Sequence, residues 1–595
     1  MNTKDKTIIL GISCFYHDAA AALLINGKIV AAAQEERFTR KKHDADFPNN
    51  AIQYCLGSQG VTIKDVTHVV FYDKPIAKFE RLLQTYIKVW PRGVRSFLMA
   101  MQVWLKEKLW TEYVIAKRLG FEGDILFTEH HYSHAASAYY ASSFNDAVIV
   151  TMDGVGEWDT TTVGFAKGNK LVLTKSIAFP HSLGLLYSAV TYYLGFKVNS
   201  AEYKVMGRAP YGDPEKYYSH FKKLITVAED GSFALGVEYF AYEYGETMTN
   251  KRFNELFGGL PRDSLSPILQ KHKDIAAALQ KITDEIVLGV VSHARSLYQS
   301  KNLCLAGGVA LNCVANGKIL EKGWFENIYI QTASGDAGGA LGAACYVYYD
   351  VLGNKKTMRA MDTLYLGPEF GNDEIKSFLD TKALKGVNGT LQYHSYDSKD
   401  LPGKVAGLLE KNYVIGWFEG RMEFGPRALG ARSILADARD KENWKRVNLK
   451  IKFRESFRPF APTVLFEHAS KFFDLKGKKS PYMLLVASVK SDDIPAVTHV
   501  DNSARIQTLE KDENPLYYDV IDAFYQKTGC PVIINTSFNV RSEPIVCTPE
   551  DAFRCFVNTD MDYLVLGNII ISKEENPILA SLKDTTAYLD TFTLD

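Results

Sequence analysis

Short apolar runs alternate with polar turns at the start of the chain, in the form of a meander. Thr7 to Ser13 is apolar and ends in a polar turn at His17-Asp18. Ala20 to Ile25 follows, then Asn26-Gly27, a dipeptide suited to tight hairpin turns, and Lys28 to Gln34 completes the set. The pattern predicts three strands, and it returns at Val148. There VIVTMD is closed by Asp153-Gly154, TTVGFA follows, Gly168-Asn169 makes the turn and LVLTKS is the third run. Strand, acidic turn, strand, hairpin turn, strand occurs twice, so the pattern predicts a duplicated domain and not a solenoid.

Helical stretches follow each copy, and Ile275 to Tyr298 has the apolar spacing of one long amphipathic helix. Leu303 to Ala310 runs from an apolar strand through a glycine pair into a helix, and Gln331 to Ala344 does much the same. Such junctions present backbone N–H groups and a helix N-terminus, which suit phosphate or nucleotide contacts. From Val351 to Gly389 charges and glycines cluster and the repeated pattern stops, which places a domain boundary within 360–395. The remainder reads as mixed strand and helix, with strands at Tyr413 to Phe418 and Val532 to Asn535 and a helix near Asp551 to Val557.

A chain of 595 residues, 46% of them apolar, can bury large cores in several folded units. Its 69 basic side chains balance 69 acidic ones, so there is no global pull toward nucleic acid or anionic membrane. Eight cysteines without a CxxC pair read as small hydrophobes in a reduced compartment. The N-terminal apolar run is too short for a secretory signal, and no uncharged apolar run approaches the roughly 20 residues of a membrane span. The expectation is a soluble cytoplasmic protein.

Two strings carry candidate metal chemistry. EHHYSHAASA, in a segment that reads as helix, sets His130 and His134 four residues apart on one face. TASGDAGGALGAA places Asp336 in a glycine-rich turn, where the alternative is an ordinary helix N-cap. Asp153 and Asp18 occupy equivalent turns of the duplicated meander and are expected to face one cleft. Two imidazoles with carboxylates suit iron, manganese or zinc better than calcium. His17 is a candidate general base beside Asp18. The charged stretch Gln34 to Pro48 is either a solvated face or, with Lys42, a cleft mouth. Glu202 and Lys204 before Gly207 are either ribose or phosphate contacts or a plain loop.

The second half carries the clearest charge signal. From Arg421 to Arg458 there are seven arginines and four lysines against five acids. GPRALGAR and KFRESFRPFAP mix those arginines with Gly, Pro and Phe, as do Arg505 in DNSARIQT and Arg541 in NTSFNVRSEPIV. Arginine forks in shaped pockets bind phosphates and carboxylates bidentately, so a compact polyanionic substrate is expected. The excess is local and lacks a nucleic-acid reading motif.

At these motifs the chain resembles the O-carbamoyltransferases of nodulation-factor, antibiotic and toxin biosynthesis. The matching strings are ILGISCFYHDAAAALL, EERFTRKKHDADFP, EHHYSHAASA, MDGVGEW, EYKVMGRAPYG, LAGGVALN, SGDAGGALGAA, GRMEFGPRALGARSILAD, RESFRPFAP, HVDNSARIQT and INTSFNVRSEPIV, spanning nearly the whole chain. The resemblance implies an α/β protein: a duplicated actin/hexokinase-like domain over 1–365, like the tRNA-threonylcarbamoyl transferase subunit, and an α+β YrdC-like domain over 366–595, like the enzyme that makes threonylcarbamoyl-adenylate. It implies that carbamoyl phosphate and ATP, with Mg2+, form carbamoyl-adenylate in the second domain. An alcohol acceptor then takes the carbamoyl group beside a divalent metal in the first, most commonly Fe2+, with Mn2+ or Zn2+ as alternatives. By matching string, His130, His134, Asp153 and Asp336 are the metal ligands, and His17 with Asp18 is catalytic. Gly307, Gly308 and Asn312 hold the adenosine with Glu202 and Lys204 nearby. Arg427, Lys452 and Arg458, with Arg505 and Arg541 beside them, grip the phosphates. No nucleic acid and no membrane are implied as partners, and a homodimer is left open. Arg208 in MGRAPYG and Ser542 in VRSEP depart from the commoner residues of the family.

A sugar or acid kinase of the same superfamily is the second reading, but a kinase needs no arginine-rich second domain. A non-catalytic or tRNA-modification assembly protein is the third; it would not turn over without partners. The acceptor is not named by the sequence, and Lys74 to Leu119, rich in Trp, Arg and aromatics, either shapes its pocket or is a peripheral helical insert.

Overall fold

The structure is a computed structural model that describes residues 6–356, 359–381, 383–384, 389–455 and 457–592. It divides into two compact units, one of residues 1–35 with 43–362, the other of 36–42 with 363–595.

The first meander forms β1 (Ile8–Ser13), β2 (Ala20–Ile25) and β3 (Lys28–Gln34), joined in antiparallel register with Asn26 and Gly27 at the hairpin turn. Both turn residues have positive φ, the geometry that Asn-Gly supplies cheaply. Two further strands, β4 (His68–Phe71) and β5 (Ile125–Phe127), add in parallel beside β1, giving the order β3-β2-β1-β4-β5. The second meander is β6 (Asp146–Met152), β7 (Asp159–Lys167) and β8 (Lys170–Ala178). A small hairpin, β9 (Ile225–Val227) and β10 (Phe233–Leu235), stands apart. β11 (Asn302–Ala306) and β12 (Asn327–Ile330) then add in parallel to β6, giving β12-β11-β6-β7-β8. The two five-stranded sheets have the same order and the same strand directions, so the unit is a duplicated α/β domain of actin/hexokinase-like topology.

β1 is buried at every residue, and β6 at all but its first, as expected of central strands covered on both faces. The helix His130–Tyr139 is buried along nearly its whole length and packs on the helix Asp336–Tyr346. The latter reads DAGGALGAACY, and its small residues allow backbone contact. A Cβ on Gly342 would stand 1.8 Å from the Ser133 carbonyl oxygen, and one on Gly11 of β1 would stand 1.9 Å from that of Ala340. The long amphipathic pattern is the helix Gln270–Leu297. Segment 74–119 forms three helices, Pro75–Val89, Val94–Lys106 and Thr111–Leu119.

The second unit is built on nine strands: β13 (His394–Ser395), β14 (Ile415–Phe418), β15 (Arg432–Asp437), β16 (Ala461–Leu465), β17 (Leu485–Ser488), β18 (Ser503–Leu509), β19 (Val532–Ser537), β20 (Tyr563–Leu566) and β21 (Ile569–Ser572). Their order is β13-β21-β20-β14-β15-β19-β16-β18-β17, with parallel and antiparallel neighbours mixed. The helices Leu401–Glu410, Pro515–Thr528 and Pro549–Asn558 pack with this sheet. All eight cysteines are free and buried. Among the described residues no helix is long and apolar enough to cross a membrane.

Candidate active site

His130 and His134 lie one turn apart on a buried helix, so both imidazoles project from one face. Their Nε2 atoms stand 3.1 Å from each other, and 2.8 Å and 3.0 Å from Asp153 Oδ2. Asp153 follows β6 in the acidic turn of the second meander. Asp336 Oδ1 lies 3.8 Å from both Nε2 atoms. It is the first residue of its helix, with Gly335 as N-cap, so its carboxylate faces the histidines and does not cap. Four donor atoms, one from each residue, fall within 4.8 Å of one another.

This donor set fits a divalent transition metal. Two buried Nε2 atoms and two carboxylates converge within ligand reach of one point, and two imidazoles with two carboxylates match iron, manganese or zinc. Burial opposes charging His130, as does Lys78, yet the Asp153 hydrogen bond and the Asp336 charge hold its pKa above the usual value. Burial likewise opposes ionising Asp153, and the two imidazoles drive its pKa well below the ordinary carboxylate range. The neighbour His131 is different. Burial, then the two adjacent imidazoles, push it down to about 3, and it bonds Thr151 Oγ1 and the Asp159 carbonyl instead.

The first meander supplies the open side. His17 Nε2 is 3.7 Å from Asp336 Oδ2, and its Nδ1 is 3.1 Å from Asp18 Oδ2. Its side chain keeps 34% exposure, against 2% and 0% for His130 and His134, so it is the histidine an incoming molecule meets. Burial opposes its protonation, but Asp336 and Asp18 raise its pKa to about 10. Asp18 also bonds His43 Nδ1 at 2.8 Å; against the burial cost, His43 and His17 lower its pKa. Phe15 and Asp18 flank this turn with φ of 75° and 52°, an uncommon conformation for non-glycine residues that aims Tyr16 and His17.

Tyr72, at the end of β4, donates a 3.0 Å hydrogen bond to Asp336 Oδ2. Glu157 accepts from the backbone N–H of His130, at the N-terminus of its helix, and from that of Lys74. Sequence reasoning missed both residues. The signal for Tyr72 was present, since VVFYD closes β4 as SCFYHD closes β1.

Gly307 and Gly308 follow β11. The Gly308 N–H donates to Asp153 Oδ1 at 3.0 Å, and Gly307 has φ of 91° with no room for a Cβ, which would stand 2.2 Å from the Met152 carbonyl oxygen. The glycine pair therefore orients a metal-ligand candidate directly. Asn312 caps the helix Cys313–Lys322 and exchanges two hydrogen bonds with Gln280. Glu202 and Lys204 lie on a short helix, Glu202–Met206, and not in the loop that was the alternative. Glu202 accepts from Ser188 and from the Asn199 N–H, and Lys204 is buried.

In the second unit the arginine motifs converge by topology. β14 and β19 end, and β15, β16 and β18 begin, on one side of the sheet, as the pairs Phe418–Arg432, Ser433–Ser537, Ala461–Asn535 and Thr463–Gln507 require. The loops holding Arg427 and Arg541 leave from that side, the segment holding Lys452 and Arg458 enters β16 there, and Arg505 lies near the start of β18. Lys452 is buried, and its ammonium donates to the carbonyl and hydroxyl of Ser537 and to both oxygens of Asn539. Burial, then the charges of Arg454 and Arg458, pull its pKa well below the usual lysine value. The Arg541 N–H donates to the Lys452 carbonyl. Segment 36–42 belongs to this unit. Glu36 and Arg37 are buried, so the reading of this part of 34–48 as a solvated face is corrected, and Arg40 pairs with Glu543 at 2.9 Å.

Other arginines of the cluster serve the fold. Arg432 stacks at 3.7 Å over Phe418 and donates to backbone carbonyls; Arg439 pairs with Asp437, and Arg446 with Asp562.

Two family models match the chain. "Carbamoyltransferase N-terminus" covers residues 8–345, more than half of the chain, and "Carbamoyltransferase C-terminus" covers 406–573. An uncharacterized protein of Synechocystis is 52% identical, over 96% of this chain and 97% of its own length. Nodulation protein NolNO of Sinorhizobium fredii is 38% identical, over 94% of this chain and 79% of its own. The chain belongs to the carbamoyltransferase family and is a transferase enzyme.

Proposed function

We propose that this carbamoyltransferase is ATP-dependent and acts through carbamoyl-adenylate on a small-molecule alcohol. A carbamoyl carbon is a poor electrophile because nitrogen donates its lone pair into the carbonyl, so activation is needed. Water cleaves carbamoyl phosphate to carbamate and inorganic phosphate. A carbamate oxygen then attacks the α-phosphorus of Mg2+-ATP and expels pyrophosphate. The acceptor hydroxyl attacks the carbamoyl carbon of the adenylate, and AMP leaves.

The observation that carries this reading is the setting of Lys452. A buried ammonium held by neutral oxygens, with the charges of Arg454 and Arg458 close by, makes this end of the sheet electropositive and suited to an anion. In this reading Arg427, Lys452 and Arg458, with Arg505 and Arg541, hold the carbamate and ATP phosphates. Gly307, Gly308 and Asn312, with Glu202 and Lys204, lie where the adenosine is held.

His130, His134, Asp153 and Asp336 hold a divalent metal, with Fe2+ as our first assignment, which when bound supplies Lewis-acid stabilisation of negative charge on oxygen. His17, fixed by Asp18, positions the acceptor and takes its hydroxyl proton once the charge of Asp336 and Asp153 is neutralised. Tyr72 and Gly308 keep the two carboxylates oriented.

The test separates the half-reactions. With ATP and carbamoyl phosphate, and no acceptor, the protein is expected to release pyrophosphate. Well-folded, metal-loaded protein that releases none sinks the adenylation step.

A further inference from the structure

The turn that carries His17 also carries Tyr16, which the chemistry above does not use. The Tyr16 ring lies between two ammonium groups, with Lys78 Nζ 4.0 Å and Lys108 Nζ 3.8 Å from its centroid. Both lysines come from segment 74–119, as does Arg81, one turn after Lys78, whose guanidinium stacks 4.9 Å from the Phe179 ring. The group flanks the metal-ligand residues. Tyr16 adjoins His17, and Lys78 Nζ is 5.5 Å from the ring of Tyr72, which bonds Asp336.

The charges of this group are incompletely matched. Lys78 is paired with Asp73, and both are buried. Glu157, which already accepts from two backbone N–H groups, Asp336 and Glu107 are further carboxylates whose charges reach the lysines of this group. Arg81 and Lys108 donate to no carboxylate among the described residues. The Arg81 Nε and the Tyr16 hydroxyl are buried donors without a hydrogen-bond partner there, and Asp73 Oδ1 is a buried acceptor without one. Unmatched buried donors are costly, and a protein keeps them where a ligand completes them. Burial lowers the Arg81 pKa, and burial with the Lys78 charge lowers Lys108 to about 8. Both groups gain from an anion.

The chemistry of the missing partner follows. A guanidinium fork, an ammonium and a phenol O–H in one neighbourhood suit an anion with several acceptor oxygens, a carboxylate or a phosphate ester. A neutral sugar leaves both cations unmatched. We propose that Arg81, Lys108 and Tyr16 bind an anionic group of the acceptor itself, so that the alcohol carbamoylated here is an acidic one, a hydroxy acid or a phosphorylated polyol. This rests on the transfer reading above for its placement beside His17. Lys78, tied to Asp73, holds the Tyr16 ring between the cations and is a positioning residue.

The experiment titrates the full-length protein calorimetrically with two matched pairs of probes, gluconate against sorbitol and glycerol 3-phosphate against glycerol. Saturable binding is expected for at least one anionic probe and for neither neutral one. Arg81→Gln and Lys108→Gln each weaken it about tenfold or more, and Arg81→Lys recovers part of the loss. Pyrophosphate release from ATP and carbamoyl phosphate stays unchanged in all three, and metal content equal to the parent's shows that the unit carrying them folds. Charged and neutral probes that behave alike, or glutamine variants that bind the anions as the parent does, overturn the proposal. So does loss of pyrophosphate release in those variants, which assigns the cations to the phosphates of the donor. A parent protein that binds the anions but releases no pyrophosphate retains the anion pocket and defeats the adenylation reading instead.

Discussion

His130 Nε2 and His134 Nε2 face each other across 3.1 Å, and Asp153 Oδ2 accepts from both directions. Two imidazoles and two carboxylates gathered this closely suit a shared metal ion, and helix spacing alone does not bring them together in this way. The arrangement sets the first expectation. Purified protein is expected to hold about one divalent transition metal ion per chain by elemental analysis. His130→Ala and His134→Ala lose it, along with carbamoyl transfer, while pyrophosphate release is retained. Equal loss of both half-reactions argues against two separate sites.

Tyr72 supports that site from outside it. Tyr72→Phe keeps the ring against His130 and deletes only the O–H donated to Asp336. Metal affinity measured by chelator competition is expected to fall about tenfold, with thermal stability little changed. Unchanged affinity removes Tyr72 from the site.

Gly342 sets how closely two helices approach. Gly342→Val places a Cβ where the Ser133 carbonyl stands, at 1.8 Å, and the backbone there must move. The expected cost is at least about 1–3 kcal/mol, read by denaturant unfolding. Metal content falls with it, because the two helices carry His130, His134 and Asp336.

The arginine loops are expected to matter for the other half-reaction. Arg427→Ala and Lys452→Met lower pyrophosphate release by about 100-fold and leave metal content intact. Transfer from supplied carbamoyl-adenylate persists in both. Loss of that transfer places these residues in the acceptor step.

Asp284 gives a pH test at a carboxyl outside the metal ligands and the arginine loops. Burial raises its pKa to about 6, against the hydrogen bond that Gln280 donates to it. The unfolded carboxyl ionises near 4, so between about 4 and 6 the folded state holds more protons and stability falls as pH rises. Asp284→Asn is expected to raise the unfolding midpoint at pH 7.5 relative to the parent and to change it little at pH 4. An equal effect at both values excludes ionisation as the cause.

The sequence determined what is local. The six strands of the two meanders are found within two residues of their apolar runs, because alternation and turn chemistry act over a few positions. The four-residue spacing of His130 and His134 settled that they share a face. The tertiary structure decided what depends on distant partners. It added β4, β5, β11 and β12 in parallel, brought Tyr72 and Gly308 onto the carboxylates, and put 36–42 in the second unit. It also divided the basic cluster, giving Arg432, Arg439 and Arg446 structural partners and leaving Lys452 among neutral oxygens. A count of charges in one window could not make that division. An arginine's role is set by the group that meets its fork, and here that group lies up to 116 residues away along the chain.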